Sequence, residues 1–250
     1  MFQTWEDFYQ SDVQSLYALW VVPAVFLYYW LVAHRSVGPG IESHATSFMN
    51  AYAPLWTLET MIDPFVTGPL LRRFQVEEPI STYCMILFVL LGDFRVYLLI
   101  FYLIAPERGA GRAIVRAAAW TLLVPTFTWA ATSALESSLG KLPSQTIWIV
   151  YELGFFAVTL FLAFRLLPSS LGLSRFNVHF YLKAIVRYVG TYYALWAAAD
   201  LLIVFGGFDR GWALRVIPNQ LYYSFWIPFA YFAFFSPRYA PSRRAIHASR

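Results

Sequence analysis

Residues 80–104 read ISTYCMILFVLLGDFRVYLLIFYLI, and they decide the fold. As a helix rising 1.5 Å per residue this stretch is about 37 Å long. That exceeds the roughly 30 Å hydrocarbon core of a bilayer. Its only charges are Asp93 and Arg95, both near the middle. An ionised Asp at that depth costs about 3 kcal/mol on insertion scales, so intramembrane charges are read first as functional groups.

Six further apolar segments are long enough to accompany it. They run from about Leu16 to Ala33, Ala45 to Leu71, Ala113 to Leu135, Thr146 to Leu167, Phe180 to Phe205 and Ala213 to Phe235. Turn-rich stretches separate them: SVGPG, APERGAG, SSLGKLPS, LPSSLGLS and FGGFDRG. The chain is 59% hydrophobic, 20% aromatic and 13% charged over 250 residues, more apolar surface than a soluble domain of that length can hide. The fold class read from this pattern is an all-α integral membrane protein, a seven-transmembrane helix bundle. It forms one domain over 1–250, with 1–15 an outer segment and 237–250 a basic cytoplasmic tail. The expected location is a membrane crossed many times, the cell membrane in a prokaryote.

Basic residues give the direction. Arg35, Arg108, Arg112, Arg116, Arg165, Arg175, Lys183, Arg187, Arg238, Arg243, Arg244 and Arg250 fall on one side, against Arg72, Arg73, Lys141, Arg210 and Arg215 on the other. The bias predicts an outside N-terminus and a cytoplasmic C-terminus. The acidic start, MFQTWEDFYQSD, lacks the basic region of a cleavable signal, so the first span is expected to be retained. Trp5, Tyr9, Trp212 and Tyr239 lie where interfacial anchors would.

Several classes drop out. Cys84 is the single cysteine, and His34, His44, His179 and His247 show no metal-ligand spacing. Lys141 lies in a loop and Lys183 near the cytoplasmic start of the sixth span, which makes a retinal Schiff base a poor fit. The net charge of +4 sits mostly on loop arginines, a membrane-topology signal and not a nucleic-acid surface. No metal and no cofactor is called for.

The candidate site is built from carboxylates within spans: Glu59, Asp63, Asp93 and Glu152, with Asp200 farther out. Glu59 and Asp63 are four residues apart and share a helix face. Two like charges in low dielectric cannot both ionise, so one carboxyl is expected to keep its proton. Pro64 follows and bends the axis there. The same pair would serve equally as an interhelical hydrogen bond. Arg95 points away from Asp93 and is expected to neutralise a carboxylate on another span, with Glu152 or a neighbouring Asp93 as candidates. A purely structural ion pair fits as well. Each acid has an aromatic neighbour along its helix: Trp56 before Glu59, Tyr97 after Asp93, Trp148 before Glu152, Trp196 before Asp200. Asn219 and Tyr222 in the last span suit substrate hydrogen bonds or helix packing.

Three stretches resemble a known family, the small seven-span integral-membrane terpene cyclases of fungal meroterpenoid and indole-diterpene pathways, with their bacterial relatives. PLWTLETMIDP is similar to the family's Asn-x-x-Trp-Glu run. LLGDFRVYLL is similar to its apolar-Asp/Asn-apolar segment. LPSSLGLS followed by IVRYVGTYY is similar to its Ser-Ser-x-Gly-x-Ser loop and Arg-x-x-Gly element. The chain departs from the family at Asn219, where an acid precedes the tyrosine of the last span. The resemblance implies a metal-independent cyclase or related isomerase that protonates a prenylated or terpenoid substrate, a lipid-soluble molecule entering from membrane lipid. Glu59 would be the general acid and Asp63 its relay, with Asp93 and Glu152 assisting. Trp56, Tyr97, Trp148 and Trp196 would stabilise the cation, and Arg95, Asp200, Asn219 and Tyr222 would position the substrate. A seven-helix sensor, a small proton- or cation-coupled transporter and a scaffold subunit remain open on the same residues. The cyclase reading expects the acids of separate spans to meet in one ring-lined chamber.

Overall fold

The structure, a computed structural model, describes residues 3–34, 41–77, 79–143, 145–170 and 176–236. Arg35, Arg175, the SVGPG loop, the LGLS run and the tail with Tyr239 and its arginines lie outside the described residues. Among the described residues the chain is helical apart from short connections and carries no strand. A short helix α1 (Trp5–Gln10) precedes seven long rods. These are α2 (Val13–Ala33), α3 (41–73), α4 (Ile80–Ile104), α5 (Gly109–Leu139), α6 (145–170), α7 (Phe176–Gly206) and α8 (210–234).

Five rods (α2 and α4 to α7) are long and apolar enough to cross a membrane, which makes the molecule a helical bundle of the membrane type. Their outer faces are greasy where a soluble protein would be polar. On α2, Val21, Val25, Tyr28 and Val32 recur at spacings of three and four and are 61–71% exposed. Rods α3 and α8 carry more polar residues, and their polar sides turn inward.

α4 is the central rod. Residues 95–104 are buried on every side, against α3, α5, α7 and α8. Lipid offers no hydrophobic drive between helices, so small residues and close packing matter more. A Cβ on Gly92 would lie 1.6 Å from the Tyr222 hydroxyl, so only glycine lets that phenol cross α4. Gly154 against Val124 and Gly190 against Thr159 allow similar approaches at 2.8 and 2.9 Å.

Several threonine hydroxyls inside the bundle are satisfied locally. Thr57, Thr60 and Thr67 donate back to carbonyls of the preceding turn at 2.7–3.0 Å. Where a helix widens into a π-type turn, freed carbonyls take side-chain donors from other rods. Residues 220–225 of α8, just after Pro218, form such a turn. The Leu221 carbonyl accepts from the Tyr188 hydroxyl at 2.8 Å, and the Tyr222 carbonyl from Arg95 Nη2 at 2.9 Å. A second wide turn follows Pro64 at residues 66–70, and beside it the Trp20 indole donates to the Met61 carbonyl at 2.8 Å.

Candidate functional site

The wide turn of α8 sets Tyr222 and Tyr223 side by side, with ring centres 4.7 Å apart. These two phenols form a partition, and the buried acids lie on its two sides.

Behind the partition is a clamp. Arg95 is 1% exposed and its Nη1 meets Glu59 Oε2 at 2.8 Å. Its guanidinium stands 4.6 Å from the Tyr222 ring centre while its Nη2 holds the Tyr222 carbonyl. The Tyr52 hydroxyl donates to the Arg95 carbonyl at 2.9 Å. One cation thus ties α3, α4 and α8 together. Asp63 accepts from the Thr67 hydroxyl at 3.2 Å and faces the Tyr223 hydroxyl. Trp56 is buried against Tyr52 and Phe94.

In front of the partition is a chamber of about 170 Å³. α4 contributes Val89 and Asp93, and α6 contributes Trp148, Tyr151 and Glu152. Tyr193 and Trp196 come from α7, and Arg215, Asn219 and both partition tyrosines from α8. Tyr9 of α1 closes one end. Asp93, fourteenth of the 25 residues of α4, sets its depth at mid-helix. Both Asp93 oxygens are held, Oδ2 by the Tyr151 hydroxyl and Oδ1 by the Tyr193 hydroxyl. Glu152 is 3% exposed and differs sharply, because its Oε2 has no hydrogen-bond partner. Just behind the wall, Asp200 pairs with Arg215 at 2.9 Å. The Arg215 guanidinium also lies 5.3 Å from the Tyr9 ring centre and 5.4 Å from that of Trp212.

A second void of about 10 Å³, room for about one water, lies on the other side of Asp93. Tyr97 and Tyr192 line it, and the Tyr192 hydroxyl has no partner there. Among the described residues no three His, Cys, Asp or Glu side chains converge to hold a metal ion.

Two expectations need correction. Arg95 pairs with Glu59 and with neither Glu152 nor an Asp93. The two lie 36 positions apart on different rods, a pairing no helix periodicity could single out. The acids also do not all share one chamber. Asp93 and Glu152 line it with Trp148, Trp196, Asn219 and Tyr222, while Glu59, Asp63 and Trp56 lie off it and Tyr97 faces the smaller void. The physical reason is the wide turn in α8, which interposes two rings between the groups. Tyr9, Tyr151, Tyr193, Arg215 and Tyr223 were not expected at the site. Arg215 had a visible signal, one turn before Asn219, and Tyr193 stands three residues before Trp196. Tyr9 had none, because its place depends on how α1 folds back.

No family model matches the sequence, and neither a curated protein nor a solved structure matches it.

Proposed function

We propose that the chain is a seven-span membrane protein, N-terminus outside and C-terminus cytoplasmic, whose chamber is the active site of a cyclase or related isomerase. The substrate is a prenylated or terpenoid molecule from the bilayer, and the first step is its protonation. The observation that carries this reading is Glu152, a buried carboxyl with a free oxygen on a wall shared with Trp148, Tyr151 and Trp196.

The chemistry assigns the residues as follows. Glu152 in its acid form adds a proton to a carbon–carbon double bond or an epoxide oxygen of the guest. The positive charge that forms faces ring surfaces, each worth about 0.5–2 kcal/mol of cation–π attraction. Rings stabilise the cation without forming a bond to it, and water exclusion keeps it from being quenched. Loss of a proton from a neighbouring carbon to the Glu152 carboxylate closes the cycle, so the acid is regenerated and no co-reactant is consumed. Asp93, fixed by two phenols, supplies a steady negative field. Asn219 and Tyr222 orient the guest, and the Glu59–Arg95 clamp positions Tyr222. Glu59, the acid implied by resemblance, is engaged by Arg95 and passes that role to Glu152.

Size restricts the guest. The chamber holds about 170 Å³. It is smaller than the ~300 Å³ where ligand pockets usually begin. It therefore receives the reacting end of a prenyl chain, with the tail outside among the helices.

Membranes carrying wild type, Glu152→Gln and Glu59→Gln, supplied with an epoxidised prenyl substrate, test the assignment. Glu152→Gln is expected to lose at least 10²-fold in product, the usual scale for a general acid. Glu59→Gln retains product in proportion to the folded protein present. Equal product from Glu152→Gln and wild type would remove the role.

A further inference from the structure

The buried charges do not balance. Among the described residues five carboxyls (Glu59, Asp63, Asp93, Glu152 and Asp200) share the interior with two guanidiniums, Arg95 and Arg215. Each guanidinium is taken, Arg95 by Glu59 and Arg215 by Asp200. Asp93 and Glu152 line the chamber with Arg215, whose guanidinium pairs with Asp200, and among the described residues neither acid has an ion-pair partner of its own. A buried carboxylate without a partner is costly, so such a place favours a guest that brings positive charge.

The rings repeat the pattern. Arg95 covers Tyr222, and Arg215 covers Tyr9 and Trp212. The chamber rings of Trp148, Tyr151, Tyr193 and Trp196 have no protein cation over them among the described residues. Trp148 and Tyr151 meet edge to face with centres 6.0 Å apart, and Tyr193 and Trp196 are tilted by 52° with centres 5.9 Å apart. Rings beside carboxylates are the recognition pattern for quaternary ammonium groups. A bare metal ion would need several oxygen ligands, and these walls offer rings instead.

We infer that the chamber binds a small organic cation of the quaternary ammonium class, seated between Glu152 and the ring pairs of α6 and α7. The inference rests on the chamber of the proposed function but not on its reaction, so the two fail separately. The cationic head enters past Tyr9, and its charge is answered by Glu152 at close range and by Asp93 behind its tyrosines. A head of three or four methyl groups on nitrogen matches a space of about 170 Å³. The same occupancy keeps Glu152 ionised, so a bound ammonium blocks protonation of any neutral substrate.

Binding is read on the purified protein in detergent, by calorimetry and thermal shift, without turnover. The probes are choline, tetramethylammonium and 3,3-dimethylbutan-1-ol, the last being the uncharged counterpart of choline. Both cations are expected to bind at least tenfold tighter than the alcohol. Glu152→Gln and Trp196→Ala are each expected to weaken choline tenfold or more. Trp129→Ala, whose ring is 70% exposed on the outer face of α5, leaves binding unchanged. The wild-type comparison of charged and neutral probes stands even if a variant folds poorly. Equal binding of choline and the alcohol, no binding of either cation, or choline affinity unaffected in folded Glu152→Gln would each overturn the inference. The product assay in membranes remains the separate test of the enzyme.

Discussion

The two sides of the Tyr222–Tyr223 partition use the same residue types for opposite ends. Behind it, Glu59 pairs with Arg95, Asp63 is held by hydroxyls, and one guanidinium joins three helices. In front, a carboxyl oxygen is left open to a cavity among rings. Depth and neighbours along the helix therefore do not by themselves distinguish these buried acids. What separates Glu59 from Glu152 is whether a cation from another rod has already claimed it.

The largest expected effect strikes the clamp. Arg95→Ala strands Glu59 and frees the Tyr222 carbonyl, and breaking a buried pair from one side costs about 3–5 kcal/mol. Thermal unfolding in detergent should show this loss, and the double variant Glu59→Leu with Arg95→Met should recover most of it. A loss below about 1 kcal/mol for Arg95→Ala would make the clamp ornamental.

The next effect joins the two sides. Gly92→Ala pushes on the Tyr222 ring and is expected to cost about 1–3 kcal/mol, as overpacking does. It should also reshape the chamber, lowering product formation beyond what lost stability explains. Gly111→Ala on α5 meets nothing within 4 Å and serves as the comparison. It is expected to be neutral or to gain up to about 1 kcal/mol from helix propensity. If both variants behave alike, the partition does not depend on close approach at Gly92.

The smallest effect concerns the chamber's cover. Asp209, in the turn before α8, accepts from the backbone amides of Trp5 at 2.9 Å and Glu6 at 3.2 Å, and Tyr9 packs on Trp212. Asp209→Ala should cost only about 0.3–1 kcal/mol. Its signature is faster hydrogen exchange in 5–10 with the long helices unchanged. Unchanged exchange there would mean that α1 is held by its rings alone.

The helical membrane class was legible because residues 80–104 and four other apolar runs exceed what a bilayer needs, and composition leaves little else. Rods α3 and α8 were harder to read, since Glu59, Asp63, Arg215, Asn219 and Gln220 dilute their hydropathy. The chamber was half legible. Asp93, Glu152 and their tryptophans could be nominated from depth and one-turn spacing. The sorting of acids between clamp and chamber could not, because it depends on a π-type turn after Pro218 that helix periodicity does not encode. The partners of Asp93, Tyr151 and Tyr193, lie 58 and 100 positions away, and only tertiary packing brings them together.

The most direct test of the central claim is chemical and needs no substrate. Membranes are treated with diisopropylcarbodiimide, a small lipid-soluble reagent for protonated carboxyls, and the modified peptides are identified by mass spectrometry. Label is expected on Glu152, suppressed by Glu152→Gln, with Glu59 unmodified while Arg95 is in place. Modification of Glu59 with Glu152 untouched would contradict the division between clamp and chamber.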